Sequence, residues 1–202
     1  MTITGSEHAM TRFKGVGYWT VAGLALALAA GCTPGGVGDP CIPEDEYSDT
    51  FNGFQVTETN VESRSFQCET RVCLVNHFQG RVSCLLGQTK EEAETAPQCA
   101  IPGTQVQADP GHPDNIKVQV PSQLVSRQAD DAVYCSCRCD GPDPNARYCE
   151  CPEGFTCEKL VDDLKLGGGQ LAGSYCIRND TRYQPGSQGE TCRDKPMDCD
   201  LD

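Results

Sequence analysis

Apolar residues in this chain form one continuous run and a few short alternations set between turn residues. The run is 15–30, sixteen residues without a charge, preceded by Arg12 and Lys14. It falls short of the ~20 residues a membrane span needs, and its positive flank and small-residue end are those of an export signal. Further on, 71–78 (RVCLVNHF) places Val72, Leu74 and Phe78 on one face, and 81–86 (RVSCLL) follows after Gln79-Gly80. This pattern predicts a β-hairpin. Ile116, Val118 and Val120 alternate ahead of Pro121 and predict one further short strand. Cys135, Cys137 and Cys139 alternate in step with Val133, and Cys149 and Cys151 do the same beyond the turn residues 140–145. A second hairpin with its sulfurs on one buried side is predicted there. After Thr156, read as an N-cap, Leu160, Val161 and Leu164 predict a short helix stopped by the glycines 167–169. No period repeats along the chain, which excludes a repeat array.

Composition adds a constraint. Beyond residue 31 there are 171 residues, of which 30 are Leu, Ile, Val or Phe, with a net charge of −14. Below roughly 20 % of such residues, a highly charged chain buries too little apolar surface to offset its ordering entropy. The cysteines reverse that expectation. Cys41, Cys68, Cys73, Cys84, Cys99, Cys135, Cys137, Cys139, Cys149, Cys151, Cys157, Cys176, Cys192 and Cys199 make an even set of 14, besides Cys32. In an exported chain such a set reads as a disulfide framework, here of up to seven bridges, and each typically adds about 2–4 kcal/mol. The expected fold is small, disulfide-rich and mainly β, with irregular loops and one or two short helices.

The expected organisation is a signal peptide over 1–31, a flexible Gly/Pro tether over 32–40, a first cysteine-rich lobe over 41–99, a polar connecting segment with a short strand over 100–131, and a second cysteine-rich lobe over 132–202. The two lobes hold five and nine of the fourteen cysteines, both odd, so complete pairing within one molecule requires at least one bridge between them. Met10 is a second candidate start.

Leu28-Ala29-Ala30-Gly31-Cys32 resembles the lipobox of bacterial lipoproteins, with Ala29 where that family prefers leucine. The resemblance implies cleavage before Cys32, acylation of its thiol, and an anchor of several acyl chains, which holds where a single chain is marginal. Thr33 in place of Asp implies sorting to the outer membrane. The alternative is an ordinary secreted chain cut after Ala30. The pattern beyond the signal is similar to the small cysteine-rich envelope lipoproteins of myxobacteria and their relatives. Locally, Cys149-x-Cys151-Pro152-x-Gly154-Phe155 resembles the last turn of an EGF-like module, although Cys157 follows sooner than in that family and the acidic calcium signature is missing.

The chemistry-bearing patterns are sparse. The acidic balance excludes nucleic acid as an expected partner. There are C-x-C spacings but no C-x-x-C, so neither zinc knuckles, c-type haem nor a thiol oxidoreductase is expected, and no metal or cofactor is assigned. Asp140, Asp143 and Asn145 in one turn, and Asp198, Asp200 and Asp202 at the C-terminus, supply oxygens without the calcium-loop pattern of an EF-hand. Two histidines remain beyond the signal, His77 and His112; Pro185-Gly186-Ser187-Gln188-Gly189 misses the nucleophile elbow at its first position. No catalytic residue is assigned. The expected role is that of a lipid-anchored envelope protein, structural or binding an envelope protein or glycan. The alternative is an envelope hydrolase or metal-dependent enzyme whose site only folding would assemble, and a pocket pairing His77 or His112 with a carboxylate would be its sign.

Overall fold

The computed structural model describes residues 34–87, 100–104, 114–163, 171–181, 183–186 and 189–199. The expectations on the signal, Cys32, Cys99, His112, Leu164, the glycines 167–169, Asp200 and Asp202 lie outside these residues. Among those described, regular structure consists of two antiparallel three-stranded sheets. The first has the order β1 (Thr59–Glu62), β2 (Val72–Asn76), β3 (Val133–Ser136); the second has β4 (Arg138–Asp140), β6 (Gly173–Arg178), β5 (Phe155–Val161). One four-residue helix, α1 (Ala129–Ala132), and several 3-10 turns complete it. The fold is therefore small, disulfide-rich and mainly β.

Central strand β2 is covered on both faces. Cys73 and Val75 point into a cluster with Phe54, Phe78, Val133 and Cys135, while Leu74 enters a second cluster with Tyr134, Tyr175 and Ile177. The second cluster joins the sheets, since Tyr175 and Ile177 belong to β6. Phe78 thus lies opposite Leu74 rather than beside it. The strand alternation breaks at His77, which adopts a left-handed backbone (φ 56°) and turns the chain.

Three expected elements are corrected. Residues 81–86 do not pair with β2, whose neighbours are β1 and β3; they form tight turns, with Arg81 bridging Cys84. The cause is steric and electrostatic. Arg81 turns inward, and Gly80 and Gly87 lie so close to Pro121 that a Cβ on Gly87 would sit 2.2 Å from the Pro121 carbonyl oxygen. Residues 116–120 form no strand: Ile116 and Val120 instead bury against Cys84. Residues 156–161 are not helical but belong to β5, where Cys157 faces Cys176 across the ladder and reaches sideways to Cys139. Tertiary bonds override a weak helical pattern there.

The second expected hairpin is likewise replaced. β3 ends at Ser136 in the first sheet, and β4 starts at Arg138 in the second, so the C-x-C-x-C run is the crossover between sheets. Cys149 and Cys151 lie outside any strand. The Cys149 N–H donates to the Arg138 carbonyl (3.1 Å), and Cys137–Cys149 staples the return. The other bridges are Cys41–Cys73, Cys68–Cys135, Cys139–Cys157, Cys151–Cys176 and Cys192–Cys199. Cys84 is also disulfide-bonded. Cys68–Cys135 ties the first cysteine group to the second. The segment between the groups is packed in: Arg127 is buried and donates to the carbonyls of Asn76 and His77.

Loop length ranks the bridges. Cys68–Cys135 closes 67 residues of sequence separation and Cys192–Cys199 closes 7. With chain-entropy scaling, replacing both cysteines by alanine should cost about 4 kcal/mol for the first pair and about 2 kcal/mol for the second. Denaturant titration of the two double variants checks this; equal losses would show that loop closure does not set the ranking.

Candidate functional site

A groove of about 400 Å³ lies where three chain segments meet: the turn Glu44–Tyr47 with Ile42 before it, the end of β1 at Glu62, and the loop 64–67. That volume is within the range of small-molecule sites. Each segment is fixed from below. Cys41–Cys73 ties the first to β2, and Cys68–Cys135 ties the loop to β3. The Gln67 side chain clamps the first segment to the loop: its Oε1 accepts from the Ile42 N–H (3.0 Å) and its Nε2 donates to the Ile42 carbonyl (2.7 Å). Behind the loop, Gly35 donates to the Gln67 carbonyl (2.7 Å) and accepts from the Glu69 N–H (2.9 Å).

Two large aromatic side chains stand exposed at this groove, Phe66 at 79 % and Tyr47 at 47 %. Phe66 is not loose. The Arg71 guanidinium lies 4.4 Å from its ring centroid, a cation–π contact that holds the ring in place. Arg71 reaches that position from a left-handed backbone (φ 65°), which closes the loop by its N–H to the Cys68 carbonyl (3.0 Å) and its carbonyl to the Ser65 N–H (3.1 Å). A non-glycine residue held in this conformation is a cost the surrounding bonds must offset.

Polar groups line the remaining wall. Ser65 is only 2 % exposed, and its Oγ has no hydrogen-bond partner. The buried Thr181 hydroxyl is in the same state, and neither oxygen has appreciable accessible surface. Glu62 Oε2 accepts from the Glu44 N–H (3.0 Å), and burial holds the Glu62 carboxyl above the usual carboxylate range, with the negative charges of Glu44 and Asp45 adding to the effect. Arg64 is exposed at the same edge.

None of these residues was singled out by the sequence patterns. Tyr47 and Phe66 sit in polar strings (EDEYSD and SRSFQ), and that is the available signal: an aromatic residue set among polar immediate neighbours.

The sequence-selected residues lie elsewhere. His77, just past β2, has its Nδ1 2.7 Å from the Val56 carbonyl, so this nitrogen carries the proton and donates. Its ring stacks on Tyr183, with centroids 4.0 Å apart. Burial lowers its pKa, and the charged group acting on it is Arg127 rather than a carboxylate. In the turn 140–145, Asp140 Oδ1 accepts from the Gly141 N–H and Asp143 Oδ1 from the Asn145 N–H, so both carboxylates cap their own backbone. Asp198 lies in a 3-10 turn beside Lys195. Among the described residues, three sets of cysteine sulfurs approach within 4.8 Å of one another: Cys41 with Cys68 and Cys135, Cys137 with Cys149 and Cys176, and Cys139 with Cys151 and Cys176. Every one of these sulfurs belongs to a disulfide, which lacks the thiolate charge a metal requires.

Comparison with family models, with curated proteins and with solved structures finds no match.

The Glu62 environment has a pH signature. A carboxyl whose folded pKa exceeds its unfolded value binds its proton more tightly in the folded state. Its contribution to stability is therefore greatest in acid and falls as pH rises from the ordinary carboxylate pKa through the raised one. Glu62→Gln keeps the acceptor for the Glu44 N–H and removes the charge. The variant should be the more stable at pH 7, by under about 1 kcal/mol because the site is partly solvated, and the difference should vanish below about pH 4. Thermal melts of both proteins across that range would show it; a gap that stays constant with pH would not fit this account.

Proposed function

We propose that this is a lipid-anchored, disulfide-stapled protein of the cell envelope, held at the outer membrane through acyl chains on Cys32, whose mature part binds an envelope ligand, protein or glycan, rather than catalysing a reaction. The anchor rests on the apolar run after Arg12 and Lys14 and on the small residues that precede Cys32. Among the described residues no helix is long and apolar enough to cross a membrane. The binding role rests on the groove. Exposed aromatic side chains at a groove on a crosslinked frame are features that contact with a ligand would cover and that a purely structural surface does not need. The non-catalytic reading rests on His77, whose partners are a carbonyl, a stacked tyrosine ring and an arginine, without the carboxylate that would mark a hydrolase-type pair.

The intact mass of protein from the membrane fraction tests the anchor. The expected species is residues 32–202 carrying an acylated glyceryl group, with its 14 remaining cysteines alkylated only after reduction. A soluble chain in the medium without lipid would overturn the anchor. Thiols that alkylate without reduction would overturn the all-disulfide framework.

A further inference from the structure

We infer that the bridges Cys139–Cys157, Cys151–Cys176 and Cys137–Cys149 form a thiol–disulfide relay, in which a dithiol that reduces the first bridge leaves free thiols on Cys157 and on Cys149, the latter in an arginine-lined groove. The relay goes beyond the binding role proposed above and does not rest on it. It follows from how the sulfurs pack. Cys176 Sγ lies 3.5 Å from Cys137 Sγ and 3.8 Å from Cys149 Sγ, although it is bonded to neither. The sulfurs of Cys139, Cys151 and Cys176 all lie within 4.8 Å of one another, and Cys139 is bonded to neither of the other two. Cys176 is common to both sets, so the middle bridge adjoins the other two. Cys41–Cys73 and Cys68–Cys135 also approach each other, but all four of these cysteines are buried.

Exposure sets where reduction starts. Among the described bridges, Cys139–Cys157 alone has an exposed cysteine, Cys157 on β5, while Cys137 and Cys176 are buried. Disulfides are broken by thiolates, which attack the sulfur they can reach. A dithiol attacks Cys157 Sγ and releases the Cys139 thiolate; its second thiol then displaces Cys157, and the dithiol departs as a disulfide. Two electrons have entered, held as thiols on Cys139 and Cys157. The Cys139 thiolate attacks Cys151 Sγ, forming Cys139–Cys151 and expelling Cys176 as a thiolate. Cys176 lies about equally near both sulfurs of Cys137–Cys149, beside that bond rather than in line with it, so the freed side chain turns about its Cα–Cβ bond to attack Cys137 Sγ. Cys137–Cys176 forms, and Cys149 leaves as a thiolate that takes a proton from water. Neither exchange changes the number of bridges or of thiols.

Because each exchange is reversible, the surroundings of each sulfur decide where the thiol rests. Cys149 is half-buried and lines a groove of about 360 Å³ with Arg138 and Arg147 and, among the described residues, no carboxylate. Neighbouring guanidinium groups stabilise a thiolate, whereas burial at Cys137 and Cys176 disfavours one. The new Cys137–Cys176 bridge joins residues whose backbones already meet, since the Cys176 N–H donates to the Cys137 carbonyl (3.1 Å). The crossover therefore stays tied to β6 while Cys149 is set free.

The test treats the mature protein as purified, lipid included if present, with an equimolar amount of dithiothreitol at neutral pH. Samples are quenched in acid at increasing times, alkylated with N-ethylmaleimide, digested with pepsin and mapped by mass. The expected end state carries label on Cys149 and Cys157, with peptides crosslinked through Cys139–Cys151 and Cys137–Cys176. Early samples should carry label on Cys139 before it appears on Cys149. Label that stays on Cys139 and Cys157, with the other two bridges unchanged, would overturn the relay. Label on Cys137 and Cys149 with Cys139–Cys157 intact would also overturn it, because the dithiol would then have entered through the groove. Arg147→Gln alters an exposed side chain outside the bridges and should lower the ratio of Cys149 to Cys139 label roughly threefold. An unchanged ratio would overturn the part given to the groove charge.

Discussion

The two sheets are held in one body by the crossover between β3 and β4, and that crossover is held by disulfides. Within five residues it carries Cys135, Cys137 and Cys139, which are tied to Cys68, Cys149 and Cys157 respectively. Hydrogen bonds at the same point work in the same direction: Ser136 Oγ donates to the Cys176 carbonyl (2.8 Å), and the Cys176 N–H donates to the Cys137 carbonyl (3.1 Å). A hydrophobic contact between sheets is non-directional and would tolerate sliding by a residue. Covalent ties on both sides of the crossover do not. The register that lets Leu74 and Tyr134 meet Tyr175 and Ile177 is therefore set by sulfur and filled by apolar side chains.

The polar interior also substitutes specific bonds for apolar bulk. Arg81 and Glu46 are both fully buried, with the Arg81 Nε 3.3 Å from Glu46 Oε2. Burial lowers the Arg81 pKa while Glu46 raises it. Such a pair is tolerable only when its remaining hydrogen-bonding groups are met, and here they are. Arg81 donates to the carbonyls of Glu46, Ser48 and Phe51, and Glu46 accepts from the N–H groups of Val82 and Ser83. The pair thus gathers the turn 44–47, the loop around Phe51 and the turns after Gly80, from which Phe51, Val82 and Leu85 also pack against the core. A chain with few large aliphatic side chains can in this way organise loops around a guanidinium, which reaches several carbonyls at once. The turn it secures is one wall of the groove.

Much of the class of this fold was legible in the sequence. An even thiol count with few core residues leaves crosslinked, mainly β structure as the stable outcome, and the alternation at 72–75 marks a strand. The partners of that strand were not legible, because β3 comes from a distant part of the chain, β1 carries no clear alternation, and short alternations carry no information on pairing. The C-x-C-x-C run shows the limit well. Period-two spacing reads as one strand, yet Cys137 sits between two strands in different sheets, and only the bridge partners decide where the strand ends. At 156–161 the apolar spacing suits a helix, but Thr156 and Val161 are β-branched and Cys157 must reach Cys139; an extended strand satisfies both.

The groove was illegible for a related reason. Its three walls come from 42–47, 62 and 64–67, and what unites them is Cys41–Cys73, Cys68–Cys135 and the Gln67 clamp, none of which has a local signature. Chemistry searched for by motif looks for acids, bases and metal ligands, whereas what marks this groove is two exposed rings. The left-handed Arg71 connects the crosslinked frame to the groove. Its backbone closes the loop that Cys68 ties to β3, and its side chain braces the Phe66 ring. Strain in the backbone is thus placed where it sets an arginine against an aromatic face in water, an arrangement that the packing of the body does not require.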